Sequence, residues 1–166
     1  MTVRRSCICL IFLLLFLCMS LHAEVFHITS DEALSHKRIT LGVPWDFYLG
    51  KFISPNDIND ITADAQITPP WIWTQYYPDG LGCGTFHLQM DGLNPDTQYT
   101  MFLYDAVGTS FHLYVNGCLL RTVGNPNEDW TKAKGDQSMQ LVDMFCDENG
   151  CLDIVIQVSN NFHRKC

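Results

Sequence analysis

Apolar and polar residues alternate with a period of two along most of this chain. In residues 85–90, Phe86, Leu88 and Met90 share one face while His87 and Gln89 point away. Residues 110–115 repeat the pattern, with Phe111, Leu113 and Val115 set against His112 and Tyr114. Residues 152–158 do so again, with Leu152, Ile154, Ile156 and Val158 against Asp153, Val155 and Gln157. Such alternation, rich in β-branched and aromatic residues, predicts half-buried strands. Further strands are expected at 39–43, 46–52, 66–72, 98–104, 119–123 and 139–144. Asn116-Gly117 separates two of them and is a preferred two-residue hairpin turn, because both residues tolerate positive φ. Ser54-Pro55-Asn56, Pro78-Asp79-Gly80, Asn94-Pro95-Asp96 and Asn125-Pro126-Asn127 punctuate the rest. No helix-period segment exceeds two turns. One short helical turn is expected over 55–61, capped by Ser54 with Pro55 in first position. Eight or nine short strands at this spacing predict an all-β fold, a sandwich or jelly roll.

The N-terminus follows a different rule. Arg4 and Arg5 precede an uncharged, apolar run from Cys7 to Leu21, and Ala23 stands before the polar sequence that begins at Glu24. This is the layout of a secretory signal peptide over residues 1–23, shorter than the ~20 apolar residues a membrane-spanning helix needs. A retained N-terminal anchor is the alternative, since Leu21-His22-Ala23 is an imperfect cleavage site. A lipoprotein fits less well, because Leu17 precedes Cys18 where a small residue is wanted. The expectation is an exported protein, periplasmic or extracellular, with a lead-in over 24–37 and one domain over 38–166. About 140 residues suffice for a single core.

Charge and cysteines narrow the partners. Without Arg4 and Arg5, 8 basic residues stand against 18 acidic ones. Such a surface repels phosphate backbones, so nucleic acid is not an expected partner. Five cysteines follow the leader: Cys83, Cys118, Cys146, Cys151 and Cys166. Export permits disulfides, and Cys146 and Cys151 are the candidates for closing a small loop. The odd count leaves at least one thiol free or paired with another chain. No CxxC or HxxxH spacing supports zinc. Asp57, Asp60, Asp64 and residues 125–129 lack a calcium-loop pattern, so no metal or cofactor is expected.

Several segments, in order, form a recognisable set. Trp45-Asp46-Phe47-Tyr48-Leu49-Gly50 is followed by Pro70-Trp71 and Gly82-Cys83-Gly84-Thr85-Phe86. Then come Gly108-Thr109-Ser110-Phe111-His112-Leu113-Tyr114-Val115-Asn116-Gly117, and Val158-Ser159-Asn160-Asn161-Phe162. Over about residues 38–164 this resembles the galactose-binding-like jelly roll outside bacterial seven-transmembrane receptors with diverse intracellular signalling modules. More distantly it is similar to the sugar-binding domain of family-2 glycoside hydrolases. The resemblance implies a sensor of carbohydrate or another small ligand, joined to a downstream membrane receptor. Family members add a glycine pair and one more strand after the Ser-Asn-Phe-like segment, so a jelly roll lacking its last strand is expected. Its C-terminal edge would then be open to a partner or a second copy, with Cys166 near it.

For the ligand site, the aromatic run Trp71-Ile72-Trp73-Thr74-Gln75-Tyr76-Tyr77 is the first candidate, because sugar C–H faces stack on exposed rings. Trp71, like Trp45 and Tyr48, reads as core. Trp73, Tyr76 and Tyr77 are the candidate platforms, with Gln75 and Asp79 as hydrogen-bonding neighbours. Trp130, in the polar loop 125–134, is either a loop anchor or a further platform. No nucleophile elbow or metal-ligand spacing appears, and nothing brings Asp105 and Asp153 together as a glycosidase pair. No enzyme is expected. The competing class is an exported structural or interaction protein that docks on a partner chain through its open edge.

Overall fold

A computed structural model describes residues 24–29, 38–103, 109–136 and 140–162. The strands are β1 (Phe26–His27), β2 (Trp45–Leu49), β3 (Ala65–Ile67), β4 (Gly82–Asp91), β5 (Tyr99–Leu103), β6 (Ser110–Val115), β7 (Cys118–Val123), β8 (Gln140–Met144) and β9 (Leu152–Asn160). Two short 3-10 turns, Ile58–Asp60 and Trp130–Lys132, are the helical elements among the described residues. None is long and apolar enough to cross a membrane. The expected signal segment and Cys166 lie outside the described residues.

The chain is an all-β sandwich. Its larger sheet runs β3-β2-β4-β9-β6-β7, with β1 pairing parallel to the far end of β4; the smaller sheet is β5-β8. The path crosses from β4 to β5, returns for the β6–β7 hairpin, crosses to β8 and returns in β9, which is the jelly-roll habit of alternating sheets. Register places Phe47, Phe86, Ile156 and Leu113 in one row across four strands. All four are buried on the inner face, where they meet Met101, Leu103, Val142 and Met144 of the smaller sheet. The outer face carries Tyr48, Val155 and Tyr114. Ile53, Ile58, Ile61 and Ala63 from the connection between β2 and β3 pack over them.

Local expectations met the structure closely where turns and alternation agree. The strand expected over 110–115 is β6, and Phe111, Leu113 and Val115 are buried. Asn116 and Gly117 both adopt positive φ, 48° and 77°, to close the hairpin into β7. The expected helical turn is tighter and shorter: Ser54 Oγ accepts from Asn56 N at 3.2 Å, just ahead of Ile58–Asp60.

Two expectations need correction. Residues 39–43 form no strand, because no ladder partner lies beside them among the described residues. Cys146 and Cys151 are both thiols; Cys146 is drawn into the core, and the loop is instead closed by Asp147 N donating to Cys151 O at 2.9 Å. β9, the strand after which a closing strand was expected, is itself paired along its length with β4 on one side and with β6 on the other, from Gly82↔Asn160 to Met90↔Leu152 and from Ser110↔Ser159 to Val115↔Ile154.

Candidate functional site

The aromatic run beyond β3 turns inward. Tyr76 N and Tyr77 N both donate to Trp73 O, at 2.8 and 2.9 Å, and this tight turn folds the Trp73 ring back under the chain. Trp73 is 1% exposed, its Nε1 donates to Gly80 O at 3.0 Å, and its ring packs on Phe47, Phe86 and Tyr77. It offers no face to a ligand, which corrects its reading as a platform. Tyr76 is half-buried against Phe47, and Tyr77 donates its hydroxyl to Cys83 O at 2.7 Å. Gln75 is exposed, while Trp130 is half-buried on its 3-10 turn. No ring contact joins Trp130 to Trp73, Tyr76 or Tyr77 among the described residues. Trp73 and Tyr77 are therefore in contact, but the ring of Trp73 is core and Trp130 makes no ring contact with the others among the described residues.

A different feature stands out between the sheets. A cavity of about 810 Å³ opens beside β5, within the range of roughly 300–1,000 Å³ usual for small-ligand sites. β2 and the segment after β3 supply Trp45 and Trp71, β4 supplies Met90, and β9 supplies Ile154. Met101 and Leu103 of β5 form the facing wall, and residues 38–42 run along the rim. Alternation explains this lining: Trp45 occupies the same inward parity as Phe47, and Met101 and Leu103 are the inward residues of β5.

Trp45 and Trp71 are 1% and 6% exposed, with ring centroids 4.9 Å apart, edge to face. Both indole Nε1 groups are buried without a hydrogen-bond partner. Buried indole N–H groups usually find an acceptor, and leaving one unmade costs about 1–3 kcal/mol. These nitrogens have essentially no accessible surface, so the two residues line the cavity with other parts of their rings. Reading Trp45 and Trp71 as core was right for their rings but silent on the N–H. The available signal was the donor-only chemistry of Trp itself: an indole on an apolar strand face calls for an acceptor.

The outer face of the larger sheet holds the main titratable cluster. Asp153 Oδ1 pairs with buried His87 Nε2 at 3.1 Å, and Asp153 Oδ2 accepts from Gln89 Nε2 at 3.1 Å. Gln89 Nε2 also reaches Asn59 Oδ1 at 3.2 Å, tying the covering segment to the sheet. Burial pushes the Asp153 carboxyl up, but the His87 hydrogen bond and charge, with Gln89 and Asn59, outweigh it and hold the carboxyl below its ordinary value. A depressed carboxyl adds stability that is present above the unfolded value, about 3.9, and lost as pH falls through the lower folded one. Asp153→Asn should therefore flatten the dependence of stability on pH below about 4, as measured by urea melts across that window. An unchanged slope would mean that other carboxyls govern acid unfolding.

This cluster orients side chains; it lacks a nucleophile. The Cys83 thiol, pushed up to about 11 by burial and then by Glu128, stays protonated and donates to Glu128 O at 3.1 Å. Among the described residues no group of three or more His, Cys, Asp and Glu is placed to hold a metal ion.

No protein-family model matches the chain. No match is found among curated proteins. Among solved structures the chain is similar to a GH2 β-galacturonidase from Eisenbergiella tayi bound to galacturonate, at 12% identity and a TM-score of 0.48. The match covers 72% of this chain and 18% of that one, so the chain spans under a fifth of the enzyme's length.

Proposed function

We propose that this chain is a non-catalytic ligand-binding domain whose site is the cavity beside β5. The observation that carries this reading is the cavity itself, about 810 Å³ between the two sheets and lined by Trp45 and Trp71 with Met90, Met101 and Ile154. A ligand with an apolar face suits this lining. Carbohydrate offers such a face in its C–H groups. The signal-like residues 1–23 and the receptor resemblance support an exported, sensor-type role.

The test is calorimetry and tryptophan fluorescence with a panel of mono- and disaccharides. Trp71→Phe shrinks a ring that lines the cavity. It should weaken binding about fivefold through lost ring contact, roughly 1 kcal/mol, with the fold unchanged by circular dichroism. Binding that survives Trp71→Phe but is lost in Tyr76→Ala or Trp130→Ala would return the site to the surface loops.

A second reading draws on β7. This edge strand exposes Leu119 and Leu120 beside the exposed thiol of Cys118. An uncovered apolar edge invites pairing with another chain. A reductant-sensitive dimer in sedimentation velocity, abolished by Leu119→Lys, would favour that docking role.

A further inference from the structure

We infer that the ligand enters this cavity by an aromatic substituent, with its sugar ring held outside at the mouth. The inference rests on the cavity being the binding site and names the part of the ligand that the interior takes.

The cavity divides by depth into two chemistries. Among the described residues, every buried member of its lining is apolar. Trp71, Leu93, Met101 and Leu103 keep 6–7% of their surface, and Met90 and Met144 keep 5% and 6%, so these side chains form the wall that a ligand meets. Trp45 and Ile154, at 1% and 0%, back that wall. The polar side chains of the lining, Arg38, Thr40, Thr97, Gln98, Tyr99 and Thr100, are all exposed or half-buried. Residues 38–42 repeat the division. They form no strand, yet Ile39 and Leu41 are half-buried against the core while Arg38, Thr40 and Gly42 are exposed. Their apolar side thus continues the wall up to the mouth.

Desolvation decides which part of a ligand goes where. A sugar ring sunk within the wall would lose the water on its hydroxyls and meet no buried polar side chain of the lining among the described residues. At the mouth the hydroxyls keep water and have Thr40, Thr97, Gln98 and Thr100 in the lining beside them. Thr100 Oγ1 donates to Asp143 Oδ1 at 2.6 Å and can still accept. An apolar substituent has the opposite balance, because it gains by leaving water in proportion to its area. The composition of the wall favours an aromatic one. Met90, Met101 and Met144 bring thioethers, which adapt their shape and make favourable contacts at ring edges. Trp71 adds an indole for edge or offset contact. A flat ring uses both kinds of contact, whereas an alkyl chain uses neither and gives up rotational freedom on entry. Together these features describe a glycoside whose aromatic aglycone fills the interior.

The experiment compares matched glycosides on the intact chain by calorimetry: phenyl, hexyl and methyl β-glucoside, and the same three β-galactosides. Within each set the sugar ring is constant, and hexyl carries as many carbons as phenyl. In at least one set phenyl should bind about tenfold tighter than methyl. It should also bind tighter than hexyl, with a more negative heat-capacity change than methyl. Met101→Gln places an amide of similar shape in the wall and should bring phenyl down to the affinity of methyl. Leu41→Gln, in a segment outside both sheets, should remove part of the preference and keeps the test open if the first variant fails to fold. Equal binding of phenyl and methyl in both sets overturns the inference and leaves the cavity as a site for the sugar itself. A phenyl preference unchanged in the folded variants, or hexyl binding tighter than phenyl, also overturns it. Binding by no glycoside up to millimolar concentration overturns it as well. The separate Trp71→Phe test with the wider saccharide panel then decides whether the cavity binds carbohydrate at all.

Discussion

Replacing Leu113 with Asp should unfold the domain. Leu113 is 0% exposed at the centre of β6, in register with Ile156 on one side and Arg121 on the other, and its side chain meets the inner core. A carboxylate there has neither water nor a cation, so it must either ionise in an apolar interior or stay protonated with its oxygens unpaired. The expected loss exceeds about 4 kcal/mol, comparable with the whole stability of an ordinary domain, about 5–15 kcal/mol. Near-UV circular dichroism and loss of a cooperative urea transition are the readouts. Leu113→Ala, which only leaves a cavity, should cost about 2–5 kcal/mol and keep a cooperative transition. A folded, cooperative Leu113→Asp protein would show that this face of β6 is not core.

Gly92→Ala should be nearly as damaging, for a backbone reason. Gly92 follows β4 with φ of 81°, and an added Cβ would collide with the carbonyl oxygen of Ile28, with His27 Cε1 at 3.3 Å also in the way. Ile28 is held there because its N–H donates to Asp91 O at 3.0 Å, which continues the pairing of β1 with β4. A methyl group at Gly92 must push this strand off the sheet. We expect a loss of about 2–4 kcal/mol and a fall in Tm of roughly 5–15 °C. Gly117→Ala is the control, because its φ of 77° is similar but nothing lies within 4 Å of the added carbon. It should cost only about 1 kcal/mol. Equal losses for the two variants would mean that Ile28 gives way freely. Ile28 also lines the cavity, so Gly92→Ala should weaken ligand binding along with stability.

What could be read from the chain was local. The alternation over 110–115 and the Asn116-Gly117 turn constrain each other within a few residues, so both the strand and its buried face were visible. Residues 39–43 alternate well enough for a strand, yet a strand exists only where a partner offers a ladder, and partners are a matter of topology. Trp73 shows another limit. A sugar platform and a core plug both want a large aromatic ring, and only the turn that sends Tyr76 N and Tyr77 N back to Trp73 O separates the two roles. The cavity was hidden for a further reason: segment 38–45, Trp71 and Met101, which make it, are far apart in sequence, and Met101 meets the others only across the two sheets. The place of β9 between β4 and β6 was hidden too, because sheet order depends on long-range pairing that no periodicity encodes.

That sheet order has a consequence for how the molecule comes into being. The last strand among the described residues, β9, is the one inserted between β4 and β6, joining Gly82 to Asn160 and Ser110 to Ser159. Until residues 152–160 have left the ribosome, β4 and β6 have no common neighbour, and the inner row of Phe86 and Leu113 has a gap where Ile156 belongs. Growing chains must therefore remain open until residues 152–160 are available, and closure then requires contacts of large sequence separation, which are slow to form. During that interval the edges of β4 and β6 and their apolar faces are exposed together, so the hazard of association with other chains falls in the time before the ninth strand arrives.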